Sequence, residues 1–131
     1  MSDIILSAPT PERPEILAPA GDAQCFTAAL AAGADAVYLG LKHFSARMQA
    51  ENFGLTDLSR LTDLAHEEQA RVYVAMNVLV KPQETAAAYR LIHRLARQVR
   101  PDGIIVQDLA MLDLARQAGF EGEINLSTLA N

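Results

Sequence analysis

The residues that could do chemistry gather where apolar runs stop. Gly21 and Asp22 follow the first run. Lys42, His43, Ser45, Arg47, Glu51 and Asn52 follow the second, and Asn77 and Lys81 the third. Gln107 and Asp108 follow the fourth, and Ser127, Thr128 and Asn131 the fifth. Mixed donors and acceptors converging from five strand ends suit a polar ligand, anionic or heterocyclic. Arg47 could fork onto a carboxylate or phosphate. The candidate substrate-binding set is therefore His43, Arg47, Glu51, Asn52, Asn77, Gln107, Asp108, Ser127 and Thr128. No catalytic residue is singled out within it.

Blander roles compete for several of these residues. Asp22 and Asp108 each precede a helical segment, where helix capping alone explains them. Asn77 can simply end a strand, and His43 can anchor a loop. Arg47 and Glu51 are four apart and would pair across a helical turn. Cys25, between Gln24 and Phe26 on a helix, is expected to be structural. Ser127, His43 and Asp108 have the residue types of a hydrolytic triad, but a triad is defined by geometry and no nucleophile-elbow sequence is present. His43, Glu51 and Asp108 lack metal-ligand spacing. Pro19-Ala20-Gly21-Asp22 has one glycine, too few for a phosphate-cradling loop.

Arg90, Arg94, Arg97 and Arg100 punctuate one helical segment, the first three on one face with His93 nearby. A nucleic-acid contact is one explanation. A solvated face with cations near a helix C-terminus is the other, and is favoured because that end points away from the strand ends.

The elements that position these residues alternate along the chain. Ile16–Ala18 reads as a strand closed by Pro19-Ala20-Gly21. Asp22 caps a helix with Phe26, Ala29 and Leu30 as its apolar stripe, stopped by Gly33. Ala36–Leu39 is the second strand, ending at Gly40. Thr56 or Asp57 is expected to cap a helix burying Leu58, Leu61, Leu64 and Ala65. Val72–Met76 is the third strand. Pro82 opens a helix showing Tyr89, Ile92, Leu95 and Val99, stopped by Pro101. Gly103–Val106 is the fourth strand. A helix through Leu109, Leu112 and Leu114 runs to Gly119, and Ile124–Leu126 is the fifth strand. Met1–Pro14, rich in proline, reads as an extended lead-in, and 15–131 as one βα unit.

Two architectures share this order. One is the first five strands of a parallel (β/α)8 TIM-type barrel, incomplete because a whole barrel takes about 250 residues. The other is a five-strand doubly wound sheet. A partial barrel has an open sheet edge, through which self-association is expected unless something covers it.

The 131 residues carry a net charge of −5, which gives no general attraction to nucleic acid. The single cysteine excludes an internal disulfide framework and any multi-cysteine metal site, and fits a reducing, cytoplasmic setting. No apolar run approaches the ~18 residues a membrane span needs.

Several segments together resemble the peptidase U32 family. Pro14-Glu15-Ile16-Leu17-Ala18-Pro19-Ala20-Gly21 and Gly33-Ala34-Asp35-Ala36-Val37-Tyr38-Leu39-Gly40 look like its opening. Phe44-Ser45-Ala46-Arg47 and Ala50-Glu51-Asn52-Phe53 are similar to its second loop. Ala65-His66, Val72-Tyr73-Val74 with Asn77, Ile105-Val106-Gln107-Asp108-Leu109 and Ser127-Thr128 continue the match in order. Gln69 and Leu41 stand where glycines are common, and Leu129 where a glutamine often follows Ser-Thr.

The resemblance implies one of two activities for a full-length form. Some members resemble factors that hydroxylate tRNA or ribosomal RNA bases or quinone precursors. Others are described as collagenase-like proteases. The hydroxylation factors use an iron–sulfur cluster, and the RNA-modifying ones depend on prephenate. The cluster cysteines lie in a later part of the family's chain, so no cofactor is expected within these 131 residues and Cys25 is not one of the ligands. The implied partner is a small polar substrate or an RNA base, with no membrane. This chain alone would be inactive, and a non-catalytic fragment that needs another chain is a further reading.

Overall fold

The computed structural model describes residues 14–40, 54–76 and 82–127. Five strands form one sheet: β1 Leu17–Pro19, β2 Ala36–Gly40, β3 Arg71–Met76, β4 Gly103–Val106 and β5 Glu123–Leu126. Helices α1 Ala23–Ala31, α2 Leu55–Glu67, α3 Thr85–Arg94 and α4 Leu109–Gln117 connect them in turn. The strand order is β1-β2-β3-β4-β5 and every pairing is parallel.

That order removes the doubly wound alternative. A doubly wound sheet reverses direction at a switch point, so some neighbours in space are not neighbours in sequence. Here each crossover adds its strand to the same edge, and with the right-handed connections that parallel units follow this puts all the helices on one face. The core shows this directly. Val37, Leu39, Val72, Val74, Met76, Ile104 and Val106 share one buried cluster with Phe26, Leu58, Ile92, Leu95 and Met111 of the helix layer. The alternate strand positions Tyr38, Tyr73, Ala75 and Ile105 line a groove on the opposite face.

The helices bury a regular stripe that differs in part from the expected one. Leu58, Leu61, Thr62 and Ala65 are buried on α2, at positions i, i+3, i+4 and i+7. Leu64 falls outside that stripe and is exposed, and the Thr62 hydroxyl is satisfied by donating to the Leu58 carbonyl at 2.7 Å. On α3, Ala88, Leu91 and Ile92 are buried and Tyr89 is exposed. On α4, Met111 and Ala115 are buried with Leu114 against the core, whereas Leu109 is 69% and Leu112 45% exposed.

Helix ends differ in detail too. Asp22 caps α1 as expected, its Oδ1 accepting from the Cys25 amide at 2.7 Å. Cys25 itself is exposed and adds nothing to the core, against its expected structural role. Gly54, without a side-chain bond, begins α2 in place of Thr56 or Asp57. Pro82–Glu84 form a 3-10 turn ahead of α3. After Arg94 the helix widens into a π turn over Leu95–Val99, with the Arg100 amide donating to the Leu95 carbonyl at 2.9 Å. The Ser59 hydroxyl of α2 donates to the Gln98 carbonyl in that turn at 3.0 Å.

Gln69 follows α2 with φ +63°, in the left-handed region. Its amide donates to the His66 carbonyl, and the next amide, Ala70, to Ala65, closing the helix end as glycine usually does. A side chain there costs about 1–2 kcal/mol, and glycine's larger unfolded-state entropy offsets about 0.5–1 of it. Gln69→Gly is therefore expected to stabilise the protein by about 0.5–1 kcal/mol in urea titration. A loss of stability would contradict this assignment.

A repeated device locks the strand starts. Asp35, just before β2, accepts from the Ile16 amide at 2.8 Å through Oδ2 and returns its own amide to the Ile16 carbonyl. Asp102, just before β4, does the same to Val72: its Oδ2 accepts from the Val72 amide at 2.8 Å and its amide donates to the Val72 carbonyl at 2.9 Å. Each carbonyl then accepts from the following strand, Arg71 onto Asp35 and Glu123 onto Asp102. The Asp102 carboxylate also meets His66 Nε2 of α2 at 2.9 Å.

Candidate functional site

Parallel register sorts the uncovered face of the sheet into tiers. Pro19, Tyr38, Tyr73, Gly103 and Glu123 stand level across all five strands. Gly40, Ala75, Ile105 and Asn125 form the next level, toward the strand C-termini. Gln107 and Ser127 continue β4 and β5 one step beyond Val106 and Leu126, forming part of the rim. The Ser127 amide donates to the Val106 carbonyl at 2.6 Å, which fixes the rim there.

The tier compositions create a recess. Two tyrosines occupy neighbouring strands at the lower tier, while the tier above them holds only Gly40 and Ala75 on the same strands. A groove of about 620 Å³ results, lined by Tyr38, Tyr73, Ala75, Ile105, Asn125 and Ser127, with Glu15, Leu17, Glu123 and Leu126 completing it. Small-molecule pockets fall in the range of about 300–1,000 Å³.

Tyr73 is the best-fixed part of the floor. A Cβ on Gly103 would lie 2.7 Å from Cδ1 and Cε1 of its ring, so the ring needs glycine on the neighbouring strand. The phenol reaches Glu123 Oε2 at 3.4 Å, a long contact. Burial, reinforced by the Glu123 carboxylate, pushes the phenol above its ordinary range, so the proton stays on Tyr73 as the donor at neutral pH. The Arg71 guanidinium stands 6.0 Å from the ring centroid and pairs with Glu15. Gly103→Ala should push the ring aside and cost about 1–3 kcal/mol. In a Tyr73→Ala background the same change should cost clearly less, the remainder coming from the Glu123 Cβ at 3.0 Å, and fully additive costs in a thermal-melt cycle would contradict the ring contact.

Of the sequence-predicted set, Gln107, Asp108 and Ser127 fall within the described residues and all three sit at the β4–β5 end of the rim. Asp108 also caps α4, its Oδ1 accepting from the Ala110 amide at 2.9 Å, so the capping role holds. His43, Arg47, Glu51, Asn52, Asn77 and Thr128 lie outside the described residues. Tyr38, Tyr73, Glu123 and Asn125 belong to the groove but were not singled out from sequence. Their strands read as continuous apolar or short runs, which do not reveal which face a residue takes. The described histidines, His66 and His93, face other partners: His66 meets Asp102 and His93 Nδ1 meets the Ala118 carbonyl at 3.1 Å.

Five parallel strands in sequential order, helices on one face and a polar-rimmed recess on the other define a singly wound βα protein of the barrel type, with the barrel incomplete. The sequence profile described as peptidase family U32 matches residues 21–131. The chain belongs to peptidase family U32. It is 41% identical over 102 residues to the 23S rRNA 5-hydroxycytidine C2501 synthase of Escherichia coli (strain K12), covering 78% of this chain and 15% of that protein. It is 31% identical over 118 residues to a protein named collagenase from Porphyromonas gingivalis, covering 89% of this chain and 28% of that one. Both spans are under a third of the relatives' length. A solved structure, that of the U32 peptidase Mk0906, superposes with a TM-score of 0.70 at 14% identity, covering 95% of this chain and 54% of that chain. At that identity the likeness speaks for the fold.

Among the described residues no helix is long and apolar enough to cross a membrane. An iron–sulfur cluster is held by several cysteine thiolates. The one cysteine of this chain, exposed on α1, does not make such a donor set. No cluster of three or more His, Cys, Asp or Glu suited to a metal occurs among the described residues either.

Proposed function

We propose that this chain supplies the substrate-binding face of an RNA-base hydroxylating protein of family U32. The observation that carries the reading is the recess above Tyr38 and Tyr73, in which half-buried Tyr38 is the more open ring and Tyr73, 7% exposed, closes the floor. A flat heterocycle stacks on aromatic faces at about 1–3 kcal/mol per base. Enzymes that act on a base take it out of its stack and read its edge by hydrogen bonds. Asn125 offers a donor and an acceptor on the groove wall, and Glu123 an acceptor beside the floor. Ser127 stands at the opening. The 41% identity to a protein named as a ribosomal RNA hydroxycytidine synthase supports the same substrate class.

In this reading Arg47, Asn52 and the other rim candidates orient the substrate, and the cytoplasm is where it is met. A quinone-precursor ring would stack on the same tyrosines and is the alternative substrate. Cluster-binding cysteines would have to come from outside these 131 residues, and no step here is assigned to them. Proteolysis is the second reading, carried by the relative named collagenase. The groove would accept a peptide, but His66 and His93 are both engaged away from Ser127. A binding module that needs another chain is the third.

The protein encoded by the full reading frame separates these. The hydroxylase reading expects bound iron, a visible absorption band and no cleavage of denatured collagen. Iron-free protein that cleaves peptides would overturn it. Neither property, with only ligand capture in a complex, would favour the binding module.

A further inference from the structure

Helix α3 and its π turn carry Arg90, Arg94, Arg97 and Arg100, with no acidic residue from Thr85 to Arg100. This segment is strongly cationic in a chain whose net charge is −5. All four arginines are exposed. None of them pairs with a carboxylate among the described residues, where the ion pairs are His66–Asp102 and Arg71–Glu15.

The helix dipole explains only part of this row. Its effect falls off within the last turn, which covers Arg94 at the end of α3 and Arg97 and Arg100 at the end of the π turn, but leaves Arg90 without a reason. Like charges three and four apart oppose helix formation, so the row works against the helix unless an anion meets it. The row is also held in place. Tyr89 and His93 stack at 6.3 Å, and each reaches the end of α4: Tyr89 Oη donates to the Gln117 carbonyl at 3.4 Å and His93 Nδ1 meets Ala118 O at 3.1 Å. Arg90 and Arg94 are the next residues along. Asp113, an acid on neighbouring α4, is engaged by the Gln117 amide at 2.9 Å.

We propose that this face docks the phosphate backbone of RNA, outside the recess. The inference rests on the RNA-directed reading of the groove. From Arg90 to Arg97 the helix rises about 10 Å, a span that a few successive phosphates of one RNA strand can follow, with each arginine free to take one. Helix α3 starts from the strand-end side of β3, so the row begins about 8 Å along the helix from that side. An RNA that places one base in the recess is long enough to lie across the helix layer as well. Arginine suits phosphate because its planar fork makes two hydrogen bonds at once.

The test uses the full-frame protein and fluorescence anisotropy between 50 and 300 mM KCl. The probes are a mixed-sequence 20-nucleotide single-stranded RNA and a poly-glutamate peptide. The variant Arg90→Gln, Arg94→Gln, Arg97→Gln is expected to bind the RNA about 10–100-fold more weakly at 50 mM. Its slope of log affinity against log salt should be smaller by about 2, from three contacts at about 0.7 each. The triple lysine variant should keep most of the slope. An unchanged affinity and slope, no RNA binding by the wild type, or equal binding of poly-glutamate would overturn the proposal. Circular dichroism checks that the triple variant keeps its fold. Hydroxylated RNA with an unchanged salt slope would remove the surface and leave the recess. A lowered slope without any modified base would do the reverse.

Discussion

Replacing Phe26 with alanine should cost about 3–5 kcal/mol, the usual loss for a fully buried phenylalanine. Phe26 is 0% exposed and is the one buried residue of α1. The other contacts of that helix, Ala29 and Leu30, only lean on the core. Small domains hold about 5–15 kcal/mol in total, so the variant should sit near its unfolding midpoint in modest urea. Leu109→Ala truncates a large apolar side chain that is 69% exposed, and should change stability by less than about 0.5 kcal/mol. Urea titration of the pair tests the helix stripes as well as the single site. Equal losses would mean that α4 presents a different face to the sheet.

Asp102→Ala should cost about 2–4 kcal/mol. The Val72 amide, on a fully buried residue, would lose its partner at 2.8 Å, and an orphaned buried donor costs about 1–3 kcal/mol. The contact to His66 is partly exposed and adds at most about 1 kcal/mol. Asp102→Asn retains an acceptor oxygen and should lose less than half as much. The local signature is faster hydrogen exchange at Val72 in the alanine variant. Protection at Val72 that matches the wild type would show that the carboxylate does not hold that strand. Asp35→Ala should cost less, because the same pair of bonds recurs at Ile16 but that residue is 52% exposed and water can replace the lost acceptor.

These two sites also show what sequence reading could reach. Phe26 was legible, because one large aromatic at helical spacing after an aspartate cap has few other places to go. The strands were legible as apolar runs, and β4 appears with the expected bounds, Gly103–Val106. The helix stripes were less so. Leu64, Tyr89, Leu109 and Leu112 are the larger apolar residues at helical spacing, yet they are exposed and Thr62, Ala88 and Ala115 are buried. Position on the helix decides burial: these small residues share the buried arc with Leu58, Leu61, Ile92 and Met111, while the larger apolar ones stand off it.

The strand clamps were missed for a different reason. Asp35 and Asp102 sit in turns, where aspartate has many ordinary uses. Only the paired bonds to Ile16 and Val72 reveal the common role. Less of the groove was legible. Strand ends point to Gln107, Asp108 and Ser127, of which Ser127 lines the groove, and the resemblance marks Val72-Tyr73-Val74 as a segment. That Tyr38 and Tyr73 stand level, beneath Gly40 and Ala75, follows from register, which an unalternating apolar strand does not announce.

A recess that serves chemistry on an RNA base leaves its mark in the RNA of the cell. Mass spectrometry of nucleosides from total RNA of cells with and without the full-frame gene should find a pyrimidine nucleoside heavier by one oxygen in the first and absent from the second, restored by the wild type and not by Tyr73→Ala. Identical nucleoside profiles in the two strains would contradict that role of the recess.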